Sequence, residues 1–402
     1  MRRITARSHA WLLLALIVIG CLAGAWVISL AIPLPARDEF NIVRWELRHL
    51  PGKWLYLTGR FFGDELSQAE GDERLGRFLV LSARIDRLER TLAIDDPGQL
   101  EELARLRREW DDLENDVEAI IEGRLTAVLE DARLESSLPL FPGLRWVFPP
   151  VDFEFDQPLR VLTVSPRDRI ERIERRPLRL GLKLEEVVQL EQAEERDGGR
   201  SALAEPVAGA ATYPSIVAPQ EEYGRLAEIV AHEWVHQYLF FKPLGRRYFS
   251  SQELTTLNET VAGIAGRELG ALVVRAYPLP PDVASRLSAL RPEPSTVDAG
   301  AVLRRLRLDV EELLGRGEVE AAEALMEQRR QELAEGGVHY RRINQAFFAA
   351  RSVYADRPAS IDPLGPKVTT LRERTGSVGA FLRAMAELTS AADLDRLLDS
   401  PT

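Results

Sequence analysis

The chain has 402 residues, 45% hydrophobic and 29% charged, which fits a folded protein of one large or two modest domains and excludes a disordered one. Its formal net charge is −11, with acidic and basic residues interspersed, so no basic face suited to a phosphate backbone stands out and no nucleic-acid partner is expected. The single cysteine, Cys21, lies in an apolar run; a disulfide framework and a thiolate zinc site are thereby excluded, and any metal must be held by histidine and carboxylate.

Residues 10–32 (AWLLLALIVIGCLAGAWVISLAI) are uncharged and apolar, long enough as a helix to cross a bilayer core of roughly 30 Å. Pro33 and Pro35 end the run. A cleaved signal peptide fits less well, because its h-region spans only about 7–15 residues. A lipobox at Val18-Ile19-Gly20-Cys21 also fits less well, because Leu22 to Ile32 stays apolar. The expectation is a single-pass anchor in the cell membrane, in contact with the lipid bilayer through residues 10–32. Arg2, Arg3 and Arg7 precede it and a mixed Arg37-Asp38-Glu39 follows, which places residues 1–9 in the cytoplasm and the main domain outside. Arg44, Arg48 and Lys53 weaken that asymmetry in a wider window.

Residues 33–75 read as a juxtamembrane segment; its part 40–62 mixes Trp, Phe, Leu and Arg, as expected at the headgroup level or packed under a domain. Over residues 76–137, Phe78, Leu81, Ile85, Leu88 and Leu92 step by three and four, as do Leu103, Leu106, Trp110, Leu113, Val117 and Ile120. Asp95-Asp96-Pro97-Gly98 breaks between the two runs, which predicts an antiparallel helical hairpin. A spacer, an arm for self-association and a structural subdomain are all open readings of it, the last being the default.

From Leu144 to Val217 the pattern becomes β-like, with alternation at Val151–Phe155, an apolar run at Leu159–Val164 and a short helix after Leu184. Ala210 to Val217 is the last strand candidate, and Pro214 within it points to a sheet edge, where an extended peptide can add as a strand. The remainder reads as helices over roughly 222–241, 251–269, 302–335, 338–355 and 377–398, with proline-rich connections at 278–294 and 357–366.

Only five histidines occur, and two of them stand four residues apart in His232-Glu233-Trp234-Val235-His236. On a helix this H-E-x-x-H spacing puts both imidazoles on one face, with Glu233 offset to reach a metal-held water rather than the metal. The host segment, Leu226 to Phe241, is apolar almost all round and predicts a buried helix stopped by Lys242-Pro243. Such a motif arises by chance on the order of once per hundred chains of this length, so a third ligand is required. Ser250 and Glu253, at capping-box spacing, open a second helix carrying Glu259 on a mostly apolar face. Ala262, Gly263 and Gly266 allow the two helices to approach closely. Burying His232, His236 and Glu259 together is costly unless they are paired, and Zn²⁺ would satisfy all three. Two histidines, a carboxylate and an open position make a catalytic zinc site in which Glu233 serves as general base for amide hydrolysis.

At this point the chain resembles the gluzincins, the thermolysin-like zinc peptidases that pair H-E-x-x-H with a downstream N-E-x-x-A-type helix, here Asn258, Glu259 and Ala262. Asn344 to Ala349, Tyr354 and a closing helix around Phe381 to Leu388 are similar to the C-terminal segment of bacterial membrane-associated predicted aminopeptidases of this type. The resemblance implies ligand roles for His232, His236 and Glu259 and the base role for Glu233. Residues 138–402 then form a zincin-like, mainly helical α+β domain acting on a peptide or protein. Where thermolysin-like enzymes often carry an aspartate to hold a ligating histidine, this chain has Gly263; another acceptor, such as a backbone carbonyl, must serve. The Gly-x-Met-Glu-Asn amine-binding element is absent, so exopeptidase specificity is not implied. Tyr354 and His339, with Tyr340 beside it, are the candidates for stabilising the tetrahedral intermediate. The competing reading is a zinc-stabilised, non-catalytic membrane scaffold whose hairpin binds a partner.

Overall fold

The computed structural model describes residues 38–49, 67–91, 96–138, 141–291, 295 and 297–399. The expected transmembrane run 10–32 and about half of the juxtamembrane segment, residues 33–37 and 50–66, lie outside the described residues. Among the described residues no helix is long and apolar enough to cross a membrane. Residues 42–49 are helical and belong to an N-terminal unit, Met1–Glu65; Leu66–Thr402 forms a second compact unit.

The second unit is mainly helical with small sheets, as an α+β reading requires. It opens with α1 (Gln68–Thr91) and α2 (Pro97–Asp131). Pro97 fits the first helical position, and the Asp96 side chain caps it by accepting from the backbone N–H of Gly98 and Gln99. Arg77 donates to Glu109 at 3.0 Å and Arg84 to Glu102 at 2.7 Å, a pairing that runs the two helices antiparallel. The inner stripe, including Leu75, Phe78, Val117 and Ile121, is buried in the same core as the helix bearing the histidine pair. The hairpin is thus part of the main hydrophobic core, which is the structural-subdomain reading.

Three small sheets follow. Strands β1 (Glu135–Leu138) and β2 (Phe141–Val147) form an antiparallel pair. β3 (Phe153–Phe155) belongs to a second sheet, completed further along the chain. β4 (Arg160–Pro166) is the centre of the third, flanked by β5 (Glu174–Leu178) and β6 (Arg200–Pro206), with α3 (Leu184–Glu195) between those two in sequence. Alternation sorts this sheet cleanly: Leu162, Val164, Leu178, Ala202 and Ala204 share an apolar cluster with Val187 of α3.

The strand expected over 210–217 is two: β7 (Gly209–Ala210) and β8 (Ser215–Val217), giving the order β3-β8-β7. Pro214, which has no N–H to donate to a ladder, falls in the bend between them, so the sheet edges are β3 and β7 and not the proline-bearing segment.

α4 (Tyr223–Phe240) is buried as predicted, and Pro243 begins the single turn α5 (Pro243–Arg246). α6 (Gln252–Ala276) starts one residue later than the sequence pattern implies: Ser251, rather than Ser250, is the cap, its hydroxyl accepting from the N–H of Leu254 at 3.2 Å. The proline-rich stretch 278–294 holds α7 (Pro281–Leu290), started by Pro281 at its first position.

The long helix expected at 302–335 breaks at Gly317, whose φ of +77° suits glycine, into α8 (Ala299–Gly315) and α9 (Val319–Glu335). Of 338–355 only α10 (Gln345–Arg351) is helical, because it is capped at Asn344. α11 (Leu364–Arg374) rises from the end of the second proline-rich stretch. The closing helix is α12 (Val378–Ala386) and α13 (Ala391–Asp399), separated where the N–H groups of Thr389 and Ser390 bond instead to the Asp393 carboxylate.

Candidate metal centre

The centre is built by α4 and α6 crossing closely as antiparallel neighbours. A Cβ at Gly270 would stand 2.6 Å from the Glu228 nitrogen, and one at Gly266 would stand 3.0 Å from the His232 backbone, so only glycine admits this approach without movement. Gly263, by contrast, makes room for Asp356: a Cβ there would lie 2.6 Å from Asp356 Oδ2, which accepts from Arg267 at 2.5 Å. Two further bonds fix α4, one to the connection after β2 and one to β8. Trp234 Nε1 donates to the Pro149 carbonyl at 2.9 Å, and Gln237 Nε2 donates to Ser215 Oγ at 2.9 Å beside β8.

These contacts bring the three expected ligands together. His236 Nε2 lies 3.1 Å from His232 Nε2 and 3.4 Å from Glu259 Oε2, and His232 Nε2 lies 3.7 Å from the same oxygen. A tetrahedral ion with bonds of about 2.0–2.1 Å has ligand–ligand edges of about 3.3–3.4 Å. The observed triangle brackets that edge, and the donor set fits a divalent ion. Among the described residues His232, His236 and Glu259 are the only group of this kind placed to hold a metal ion.

Two of the three ligands, His236 and Glu259, are aimed by a neighbour. His236 Nδ1 is 2.8 Å from Asn258 Oδ1; with Nδ1–H donating there, the Nε2 lone pair faces the ligand triangle. The acceptor is therefore the side-chain amide next to the third ligand, rather than a backbone carbonyl. Tyr248 donates its hydroxyl to Glu259 Oε1, which leaves Oε2 for the triangle. Sequence reasoning missed Tyr248; the available signal was its place in the 236–259 connection, which must fold back over the site.

The charges follow from burial and pairing. Burial opposes protonation of His236, but the Glu259 carboxylate outweighs it and raises the pKa to about 9. Burial likewise opposes charge on Glu259, yet His236 and the hydrogen bonds of both histidines hold its pKa well below the usual carboxylate range. For Glu233 burial dominates and its pKa is raised. Glu233 lies against the backbone of β7, where a Cβ at Gly209 would overlap its carboxylate.

A cavity of about 720 Å³ opens over the centre, with His232, Glu233 and Glu259 in its wall beside Val207, Ala208 and Gly209. Its volume suits a bound ligand. Tyr354 lines it as well, its hydroxyl kept protonated first by the charge of Glu259 and then by burial. Tyr340 borders the same space but packs edge-on against Phe347, ring centroids 5.2 Å apart. His339 is not brought to the site: it is exposed in the segment between α9 and α10 and lies outside the cavity wall. Comparisons with protein-family models, curated proteins and solved structures give no match.

Proposed function

We propose that this chain is a zinc-dependent peptidase of gluzincin type, anchored in the cell membrane by residues 10–32 with its catalytic unit outside the cytoplasm. The observation that carries the reading is Glu233: a buried carboxylate of raised pKa, beside the three-ligand group and facing the cavity rather than an ion pair. A zinc site used only for structure has no need of such a base.

His232, His236 and Glu259 would hold the ion, which when bound supplies Lewis-acid polarisation of a carbonyl and of water. Glu233 takes the proton from the attacking water and returns it to the leaving amine, a role suited to a carboxyl whose pKa burial has moved towards neutrality. Tyr354, held protonated, is the donor available to the tetrahedral oxyanion, and His339 takes no part. β7 is a sheet edge beside Glu233, so an extended peptide laid along it would pass the centre. Such a hydrolysis needs no covalent intermediate with the protein.

The test is hydrolysis of a peptide library by zinc-loaded full-length protein. Glu233→Gln is expected to lose at least about 100-fold in rate while still binding metal. Equal activity in both proteins, or none in either, would sink the enzyme reading in favour of the scaffold. Protection of the unit from protease added to spheroplasts would reverse the orientation.

A further inference from the structure

Alternation in the β4-β5-β6 sheet separates two adjacent arginines. Arg176 pairs across the ladder with Leu162, on the face buried against α3, and it donates to Glu194 of α3 at 3.0 Å. Arg175 pairs with Thr163 on the opposite face, and both line the metal cavity. Arg172, three residues earlier and half-buried, lines the same wall.

The other arginines of this cavity have partners. Arg351 donates to Glu205 at 2.9 Å, Arg225 is 2.8 Å and Arg357 3.6 Å from Glu228, and Arg307 is 2.6 Å from Glu311. Arg172 and Arg175 have no hydrogen bond or ion pair from their guanidinium groups among the described residues. Burial and the like charge of Arg175 both act against the charge on Arg172. Tyr248, Glu259 and Tyr354 partly offset this, and the one carboxylate among them, Glu259, is committed to the ligand group. Arg172, half-buried and repelled by the exposed Arg175, is the cation of this wall that an anion entering the cavity would stabilise, with Arg175 beside it to share the charge.

We infer that Arg172 and Arg175 form an anion subsite of the metal cavity, and that the substrate is a peptide presenting a carboxylate close to the amide that is cut. The inference rests on the peptidase reading. A guanidinium binds carboxylate through two parallel N–H···O bonds, so the pair would fix the register of the peptide along β7 as well as its charge. The carboxylate belongs either to the C-terminus or to an Asp or Glu side chain, and the two sources are separable.

Matched hexapeptides with a free or amidated C-terminus, and others with Glu or Gln beside the cut bond, are offered to zinc-loaded full-length protein. The acidic member of one pair is expected to exceed its neutral partner in kcat/KM by at least about tenfold, the scale of a charged hydrogen bond; which pair does so identifies the source. In Arg172→Gln/Arg175→Gln, with folding checked by circular dichroism, the ratio should fall to within about twofold. Arg172→Lys/Arg175→Lys should recover part of it. Equal rates within both pairs, or a ratio the double glutamine variant leaves unchanged, overturns the inference. A binding arm uses zinc-loaded Glu233→Gln titrated with the same peptides. Preferential binding of the acidic forms without turnover by the parent protein keeps the subsite and removes the peptidase. Equal or undetectable binding of both forms removes the subsite, whatever the parent protein cleaves.

Discussion

Asn258 gives the sharpest local prediction, because it touches His236 and does not itself line the cavity over the centre. It is almost fully buried, and its Oδ1 is the one acceptor set against His236 Nδ1, at 2.8 Å. Asn258→Ala leaves that ring N–H buried without a partner, a cost of about 1–3 kcal/mol, and frees the ring to turn its Nε2 away from the triangle. Loss of such an outer partner weakens metal binding by about 10–100-fold, or roughly 1.4–2.7 kcal/mol, so the two scales agree. Zinc affinity measured by competition with a chromophoric chelator should fall by that factor. Asn258→Asp, which keeps an acceptor at the same place, should fall less. Unchanged affinity in Asn258→Ala would refute the assignment of Asn258 as the group that orients His236.

Tyr248→Phe removes the bond to Glu259 Oε1 and should lower zinc affinity within the same range of about 10–100-fold, read by the same competition. Gly270→Ala gains about 1 kcal/mol of helix propensity but places a Cβ 2.6 Å from the Glu228 nitrogen. Overpacking costs of about 1–3 kcal/mol outweigh the gain, so thermal unfolding should show a lower Tm. Asp393 has its pKa lowered to about 2 by the backbone N–H of Thr389, then by the Thr389 hydroxyl and Ser390. A depressed carboxylate stabilises the fold above its unfolded pKa and loses that contribution as pH falls through the folded value. Acid unfolding of Asp393→Asn should accordingly show a shallower dependence of stability on pH below about 4.

The two ligand helices were legible because their signal is local. Histidines at i and i+4 on an apolar stretch define a face whatever the tertiary context, and Glu259 lies on a second apolar stretch with small residues that suit close packing on the first. Helix ends were less legible. Gly317 breaks an otherwise continuous amphipathic run, and Ser251 competes successfully with its neighbour Ser250 for the cap. The outer partners were hidden for a different reason. Tyr248 reaches Glu259 through the path of a loop, and Asp356 reaches Gly263 across a sequence separation that no periodicity encodes. Arg172 and Arg175 gain meaning only from strand register, which decides that Arg175 faces the cavity while Arg176 faces α3.

His232, His236 and Glu259 are expected to hold a zinc ion. Metal analysis of the purified full-length chain, loaded with zinc and dialysed, tests this directly. One zinc per chain is predicted for the parent protein and for Glu233→Gln, with loss of that zinc in His236→Ala. Retention of zinc by a folded His236→Ala protein would contradict the assignment.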